Sequence, residues 1–127
     1  MEENRFKPLP RDGHVPPPGP YVLGIGMAER MLVLDVQTEA GEPAQELHLS
    51  LSPLRGIIKD YFAICEQYFD AVKKLPPSKI EAIDMGRRGL HNEGAAILSE
   101  RLEGKISTDS ETARRLFTVI CALQFRG

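Results

Sequence analysis

The hydrophobic pattern of this chain changes period at Ser52-Pro53, and this change constrains the fold more than any motif does. Before it, apolar residues alternate with polar or small ones, a pattern that is typical of half-buried strands. After it, apolar residues recur every three or four positions, which is typical of amphipathic helices. Strands followed by helices predict an α+β fold, because an α/β fold needs the two kinds of element to alternate.

Three stretches before residue 52 have the strand period, at 21–27, 32–36 and 47–51. The sequence Ala28-Glu29-Arg30 is a turn between the first two, and Gly41-Glu42-Pro43 interrupts the chain before the third. We therefore predict a three-stranded antiparallel meander with one apolar face. The opposite face carries small or moderately polar residues, so it can be solvated, receive a partner or pack on a second copy. Its residues are Gly24, Gly26, Val33, His48 and Ser50.

Three or four helices are expected to follow and to pack on one face of the sheet. Ser52 is a suitable N-cap for the first helix, whose apolar stripe runs from Leu54 to Leu75 and predicts the centre of the core. Pro76-Pro77 ends that stripe. Two later helices begin at predicted capping boxes, which pair Ser78 with Glu81 and Thr108 with Glu111.

The length of 127 residues fits one domain. Six of the ten prolines lie in the first twenty residues, and proline fixes φ and removes an amide donor. We therefore predict an extended proline-rich lead at residues 1–20 and a single α+β domain at residues 21–127.

Charge and cysteine content narrow the class of protein. Sixteen basic and eighteen acidic residues give a net charge of −2, which disfavours nucleic acid as a partner. The chain has no apolar run of membrane-spanning length, and its first residues lack the apolar segment of a signal peptide. Cys65 and Cys121 lie on apolar helix faces, where two buried reduced thiols are expected. These observations predict a cytoplasmic protein without a membrane partner.

Glycine is unusually frequent in the second predicted helix, at Gly86, Gly89 and Gly94. Each interior glycine costs about 1 kcal/mol of helix stability relative to alanine. Two explanations are open: the helix breaks near Gly86–Gly89, or a second backbone or a ligand approaches closely there.

The same segment contains the candidate site. Helical spacing places Asp84, Arg87, Arg88 and His91 on one polar face, opposite the apolar stripe. With Asn92 and Glu93 these residues form a candidate anion- or partner-binding site, in which two arginines can hold a phosphate or carboxylate. The alternative is a solvated face whose contacts, Asp84 with Arg88 and Arg87 with Glu93, add little stability.

No complete catalytic or metal-binding motif is present. The sequence His91-x-Glu93 begins a zinc deaminase signature, but no Pro-Cys-x-x-Cys follows it. The three histidines, His14, His48 and His91, lie far apart in sequence and have no ligand spacing. We therefore assign no catalytic residue, no metal and no cofactor.

The run from Ile80 to Gly94 carries a family resemblance, supported by the segments Glu2–Pro8, Leu51–Leu54, Lys59–Phe62, Ile64–Glu66 and Thr112–Phe117. It resembles small, mostly alphaproteobacterial proteins that form the uncharacterised protein family (UPF) zero-two-six-two. The resemblance implies a bacterial cytosolic protein without an assigned activity. It also implies a further segment ahead of Glu2 in most members, whose absence would expose an apolar patch for pairing.

Three functional hypotheses follow from the sequence. The favoured one is a non-enzymatic interaction or regulatory module, because no catalytic constellation is complete. One form of this hypothesis is a homodimer. The second is an RNA- or nucleotide-binding protein that uses Arg87 and Arg88, with Arg114 and Arg115 in support. The third is a small hydrolase or transferase centred on His91 and Glu93, with Arg88 stabilising charge.

Overall fold

The computed structural model describes residues 4–10 and 13–126 and shows an α+β fold. A three-stranded antiparallel sheet packs against three helices, as the change in period predicts. In chain order the elements are β1 (Phe6–Pro8), β2 (Tyr21–Ala28), β3 (Met31–Thr38), β4 (Pro43–Ser50), α1 (Ser52–Lys74), α2 (Pro77–Leu102), β5 (Ile106–Thr108) and α3 (Ser110–Arg126).

The register of the sheet explains its apolar face. Leu34 of β3 lies between Ile25 of β2 and Leu47 of β4, and Leu32 lies between Met27 and Leu49. Residues directly opposite one another share a face, so the alternating leucines of all three strands point to the same side. Leu32 and Leu34 are almost fully buried against the helices.

A second, two-stranded sheet ties the proline-rich lead to the C-terminal half of the chain. Phe6 of β1 pairs with Thr108 of β5, and Pro8 pairs with Ile106. The amide of Arg5 donates to the Thr112 hydroxyl oxygen at 2.9 Å. Strands of three residues that pair across about a hundred positions leave no periodic signal, and the sequence analysis did not predict them.

The helix starts differ from the three predicted caps. The N-cap of α1 is Leu51 and that of α2 is Pro76, and neither helix has a side-chain cap. Thr108 lies in β5, so α3 is capped instead by Asp109, whose Oδ1 accepts from the Thr112 amide at 3.2 Å. Proline in the first turn explains the first two cases, because it fixes φ and needs no amide partner.

The core occupies only one end of the helical layer. The buried residues of α1 include Leu54, Ile57 and Ile58 in its first two turns. Further along the same helix, Phe69 is 68% exposed and Val72 is 53% exposed. The prediction that the whole stripe from Leu54 to Leu75 forms the centre of the core is therefore wrong for its last third.

Candidate functional site

Helix α2 is continuous from Pro77 to Leu102, so the predicted break near Gly86–Gly89 does not occur. Close approach explains two of its three glycines, and the approaching groups are side chains of neighbouring helices. A methyl group at Gly94 would overlap the Phe117 ring of α3, and one at Gly86 would lie 2.8 Å from Cδ1 of Ile64 in α1. A methyl group at Gly89 would meet nothing within 4 Å. Gly89 therefore has no packing role among the described residues.

One carboxylate binds both arginines of the candidate site. Oδ1 of Asp84 accepts from Nε of Arg87 at 3.0 Å and from its terminal nitrogen at 2.6 Å. Oδ2 of Asp84 lies 2.8 Å from a terminal nitrogen of Arg88. The hydrogen bonds from Arg87 hold the pKa of Asp84 below its ordinary value. The carboxylate is therefore ionised at neutral pH and occupies the positions that an external anion would need.

Arg87 packs against α1, and 31% of its side chain remains exposed. Its guanidinium carbon lies 5.2 Å from the centroid of the Tyr68 ring of α1, within the range of a cation–π interaction. The Tyr61 hydroxyl interacts with the same guanidinium. The pKa of Arg87 is raised above its ordinary value, chiefly by the hydrogen bond to Asp84. Asp84 and Arg87 are half-buried, whereas Arg88 is exposed, so the alternative of a fully solvated face describes only Arg88 of these three residues.

His91 joins α2 to α3. Its Nε2 lies 2.7 Å from the Thr118 hydroxyl oxygen. The same hydroxyl lies 3.1 Å from the Arg114 carbonyl oxygen of its own helix. Thr118 thus bonds both to His91 of α2 and to the backbone of α3.

The surroundings of His91 favour its neutral form. Its ring makes edge contacts with Tyr61 and Phe117, at centroid distances of 5.4 and 5.2 Å. Burial lowers the pKa of His91 below its ordinary value, and the nearby charges of Arg114 and Arg87 lower it further. A neutral imidazole whose Nε2 is hydrogen-bonded to Thr118 acts as a structural link between α2 and α3.

The remaining candidates are not brought to this cluster. Two residues apart on a helix, His91 and Glu93 point about 200° away from each other. Glu93 and Asn92 are both exposed, and Asn92 lines a separate cleft of about 300 Å³ with Arg114. The contact predicted between Arg87 and Glu93 is replaced by the one between Arg87 and Asp84.

Arg114 and Arg115 of α3 also have partners. Arg114 lies 3.3 Å from Glu111, and Arg115 donates to Oδ1 of Asn4 at 2.6 Å. The basic side chains that the sequence suggested for phosphate binding are therefore distributed over separate contacts.

Sequence reasoning missed two features of this region. Thr118 holds His91, but it lies 27 residues away and no local pattern connects the two. Exposed apolar side chains on the last turns of α1 were assigned to the core. The sequence feature that could have indicated their exposure is the pair Pro76-Pro77. It ends the helix and so leaves the last turns at the edge of the fold.

The described residues contain neither a metal-binding cluster nor a membrane-spanning helix. No group of three or more His, Cys, Asp and Glu side chains is arranged to hold a metal ion. Among residues 4–10 and 13–126, none of the helices has both the length and the apolar content that crossing a membrane requires.

Comparison with known proteins gives the family. The model of the Uncharacterised protein family (UPF0262) matches residues 1–126. A UPF0262 protein of Roseobacter denitrificans is 59% identical over 127 residues, which cover 100% of this chain and 80% of the relative. One from Jannaschia sp. is 61% identical over 125 residues, covering 98% of this chain and 78% of the relative. No solved structure matches the chain. A match over nearly the whole chain, at this identity, means that the chain belongs to the Uncharacterised protein family UPF0262.

Proposed function

We propose that this protein is a non-enzymatic interaction module that binds a partner protein through the end of its helical hairpin. We call this end the arm: residues 66–74 of α1, the C-cap residue Leu75, and residues 77–90 of α2. The observation that carries the proposal is the exposure of three apolar side chains at the end of α1, two in its last turns and one at its C-cap. Phe69, Val72 and Leu75 are 68%, 53% and 40% exposed.

The three side chains form one surface. Phe69 and Val72 are three residues apart and so are neighbours on the surface of α1, and Leu75 is the C-cap residue that follows the helix. Leu75 lines a cleft together with the buried Ala71 and with Ile83 of α2. Met85 adds a further exposed apolar side chain, 67% accessible, on α2. Contiguous exposed apolar residues are typical of surfaces that bind another protein.

The charge around this surface indicates the chemistry of the partner. Lys73, Lys74 and Lys79 lie around the turn between α1 and α2, and the acidic residues that flank this stretch are Asp70 and Glu81. Within the part of the chain that the structure describes, no ion pair uses these lysines. An amphipathic helix with acidic residues beside its apolar face would complement this surface in both hydrophobicity and charge.

The geometry of the polar cluster supports an interaction module over the two alternatives. An anion site needs free cations, and Arg87 and Arg88 both bind Asp84. An acid–base pair needs two groups that can reach the same substrate atom, and His91 and Glu93 point in different directions. The cluster instead joins the three helices and so holds the arm in place.

Site-specific photo-cross-linking in the bacterium that makes the protein tests this proposal. A photoreactive phenylalanine analogue replaces Phe69, where the natural side chain is already aromatic and exposed. The expected result is one adduct of defined mass, cross-linked to an acidic amphipathic helix. It should weaken in the Val72→Glu background, because a charge opposes burial of the apolar surface.

The matched control places the same analogue at Glu39, an exposed residue of the turn between β3 and β4. Thermal unfolding of Val72→Glu should match that of the natural sequence, since Val72 is not in the core. The proposal would be contradicted if no adduct formed at position 69, or if the analogue at position 39 gave the same adduct in the same yield. It would also be contradicted if Val72→Glu left the yield of the adduct at position 69 unchanged.

A further inference from the structure

The two outer strands of the main sheet have different edges. β3 is the central strand, so β2 and β4 each have one edge that faces away from it. In residues 4–10 and 13–126, β2 pairs with β3 alone, and no backbone hydrogen bond joins residues 21–28 to any other segment. Alternate residues of β2 therefore present unpaired amides and carbonyls along its free edge.

Proteins usually protect such an edge, because it can pair with another strand. Charged side chains, proline and β-bulges are the common means of protection. β4 has two of them, with Pro43 at its start and the charged or ionisable Glu46 and His48 along it. The irregularity in the sheet also lies on that side, between Val36 and Gln37 of β3 where it pairs with β4.

β2 has none of these protections. Its sequence is Tyr-Val-Leu-Gly-Ile-Gly-Met-Ala, without a charge or a proline. Val22 on its outer side is 56% exposed, and Met27 on its inner side is 37% exposed. Gly24 and Gly26 have no side chains that would keep a neighbouring strand at a distance. This edge can therefore accept a strand along its length, and apolar side chains on both sides of the sheet would be covered when it does.

We infer that β2 pairs antiparallel with β2 of a second copy of this chain, which joins two three-stranded sheets into one of six strands. Three properties select a second copy as the occupant. Two identical strands that pair antiparallel are related by a two-fold axis, so the free backbone amides and carbonyls of each copy bond to those of the other. No like charges are brought together, since β2 has no charge. The inner side chains Leu23 and Ile25, each half-buried, become neighbours of the same apolar residues from the copy.

This inference is independent of the proposed function, because it uses none of the residues of the arm. The dimer leaves Phe69, Val72 and Leu75 unchanged, so the two surfaces can be tested separately.

Two substitutions at one height of the sheet form a matched test. Gly26 of β2 and His48 of β4 both lie opposite Val33 of β3, on the same outer face but at opposite edges. A side chain at Gly26 meets no atom within 4 Å of its Cβ, so Gly26→Lys leaves the fold of one copy intact. His48→Lys adds the same charged side chain at an exposed position of the other edge.

Sedimentation velocity of the purified protein over a range of concentrations gives the dimer dissociation constant. We expect the natural sequence to dimerise and Gly26→Lys to raise the dissociation constant about tenfold, through like charges on the paired strands. We expect His48→Lys and the arm variant Val72→Glu to dimerise normally. Val22→Lys, at another exposed position of β2, should repeat the effect of Gly26→Lys, so that one misfolded variant does not decide the result.

Three results would overturn the inference. The natural sequence could remain monomeric at every concentration. Both β2 variants could dimerise as well as the natural sequence. Alternatively, His48→Lys could weaken the dimer as much as Gly26→Lys, which would place the contact on the face of the sheet instead of its edge.

Discussion

The two halves of α2 have similar spacing of apolar residues but different surroundings. Every fully buried residue of this helix lies after His91, and these residues are Gly94, Ala95, Leu98 and Leu102. Before His91, Ile80 and Ile83 are only half-buried and Met85 is exposed. The sheet and α3 cover the second half, whereas the first half packs mainly on α1. A single helix thus contributes core at one end and binding surface at the other.

The comparison extends to α1, because the two helices form an antiparallel hairpin. The start of α1 lies beside the end of α2, and both are covered by the sheet. The end of α1 and the start of α2 form the arm. Stability should therefore depend on residues near the sheet, and binding should depend on residues near Pro76-Pro77.

The largest expected effect compares one apolar residue from each region. Leu98, 1% exposed, belongs to the covered half, and Leu98→Ala should lower the free energy of unfolding by about 3 kcal/mol. Phe69, 68% exposed, belongs to the arm, and Phe69→Ala should cost less than about 0.5 kcal/mol. Urea unfolding of both variants measures the difference. Equal losses would mean that the arm belongs to the core.

The next largest effect concerns Gly94 in the covered half. Gly94→Ala should lower the free energy of unfolding by about 2 kcal/mol, because the new methyl group overlaps the Phe117 ring. Adding Phe117→Leu removes that ring edge, so the loss in the double variant should be smaller than the sum of the two single losses. Additive losses in urea unfolding would show that the ring is not the obstacle.

Gly89, in the first half of α2, should respond in the opposite direction. Its Cβ position is open, so Gly89→Ala removes the entropic cost of an interior helical glycine and should stabilise the protein by about 1 kcal/mol. Thermal and urea unfolding check the sign. A loss of stability would mean that α2 is more closely packed at Gly89 than its open surroundings indicate.

The smallest effect is pH dependence at His91, where the two halves meet. Burial lowers the pKa of His91 in the folded protein, so the unfolded chain binds its proton more readily. The contribution of neutral His91 to the free energy of unfolding should be fully present above the ordinary histidine pKa of about 6.5. It should decline as the pH falls below that value, because the unfolded chain then binds the proton first. His91→Gln should reduce the decline between neutral and mildly acidic pH, measured by urea unfolding.

The sheet could be predicted from the sequence because alternation reports directly which side of a strand is buried. Leu32, Leu34, Leu47 and Leu49 lie where the pattern places them. The end of the core could not be predicted in the same way. Periodicity in α1 identifies the side of the helix that is apolar, but it does not say how far the sheet extends over that side. Val72 and Leu75 therefore carry the core pattern without a neighbour to bury them.

The candidate site was predicted less well, for a related reason. Spacing placed Asp84, Arg87 and Arg88 close together, and the structure does join them. The spacing in the sequence did not show that Tyr68 covers Arg87 or that Thr118 holds His91, because those partners come from α1 and α3. Contacts between residues distant in sequence depend on helix packing, which local patterns do not encode.

Native-state hydrogen exchange along α2 tests the division between core and arm most directly. We predict that amides near Leu98 and Leu102 exchange only through global unfolding, while those from Ile80 to Met85 exchange through a smaller local opening with a lower free energy. Uniform protection from one end of α2 to the other would contradict this account, because it would make the arm part of a single cooperative core.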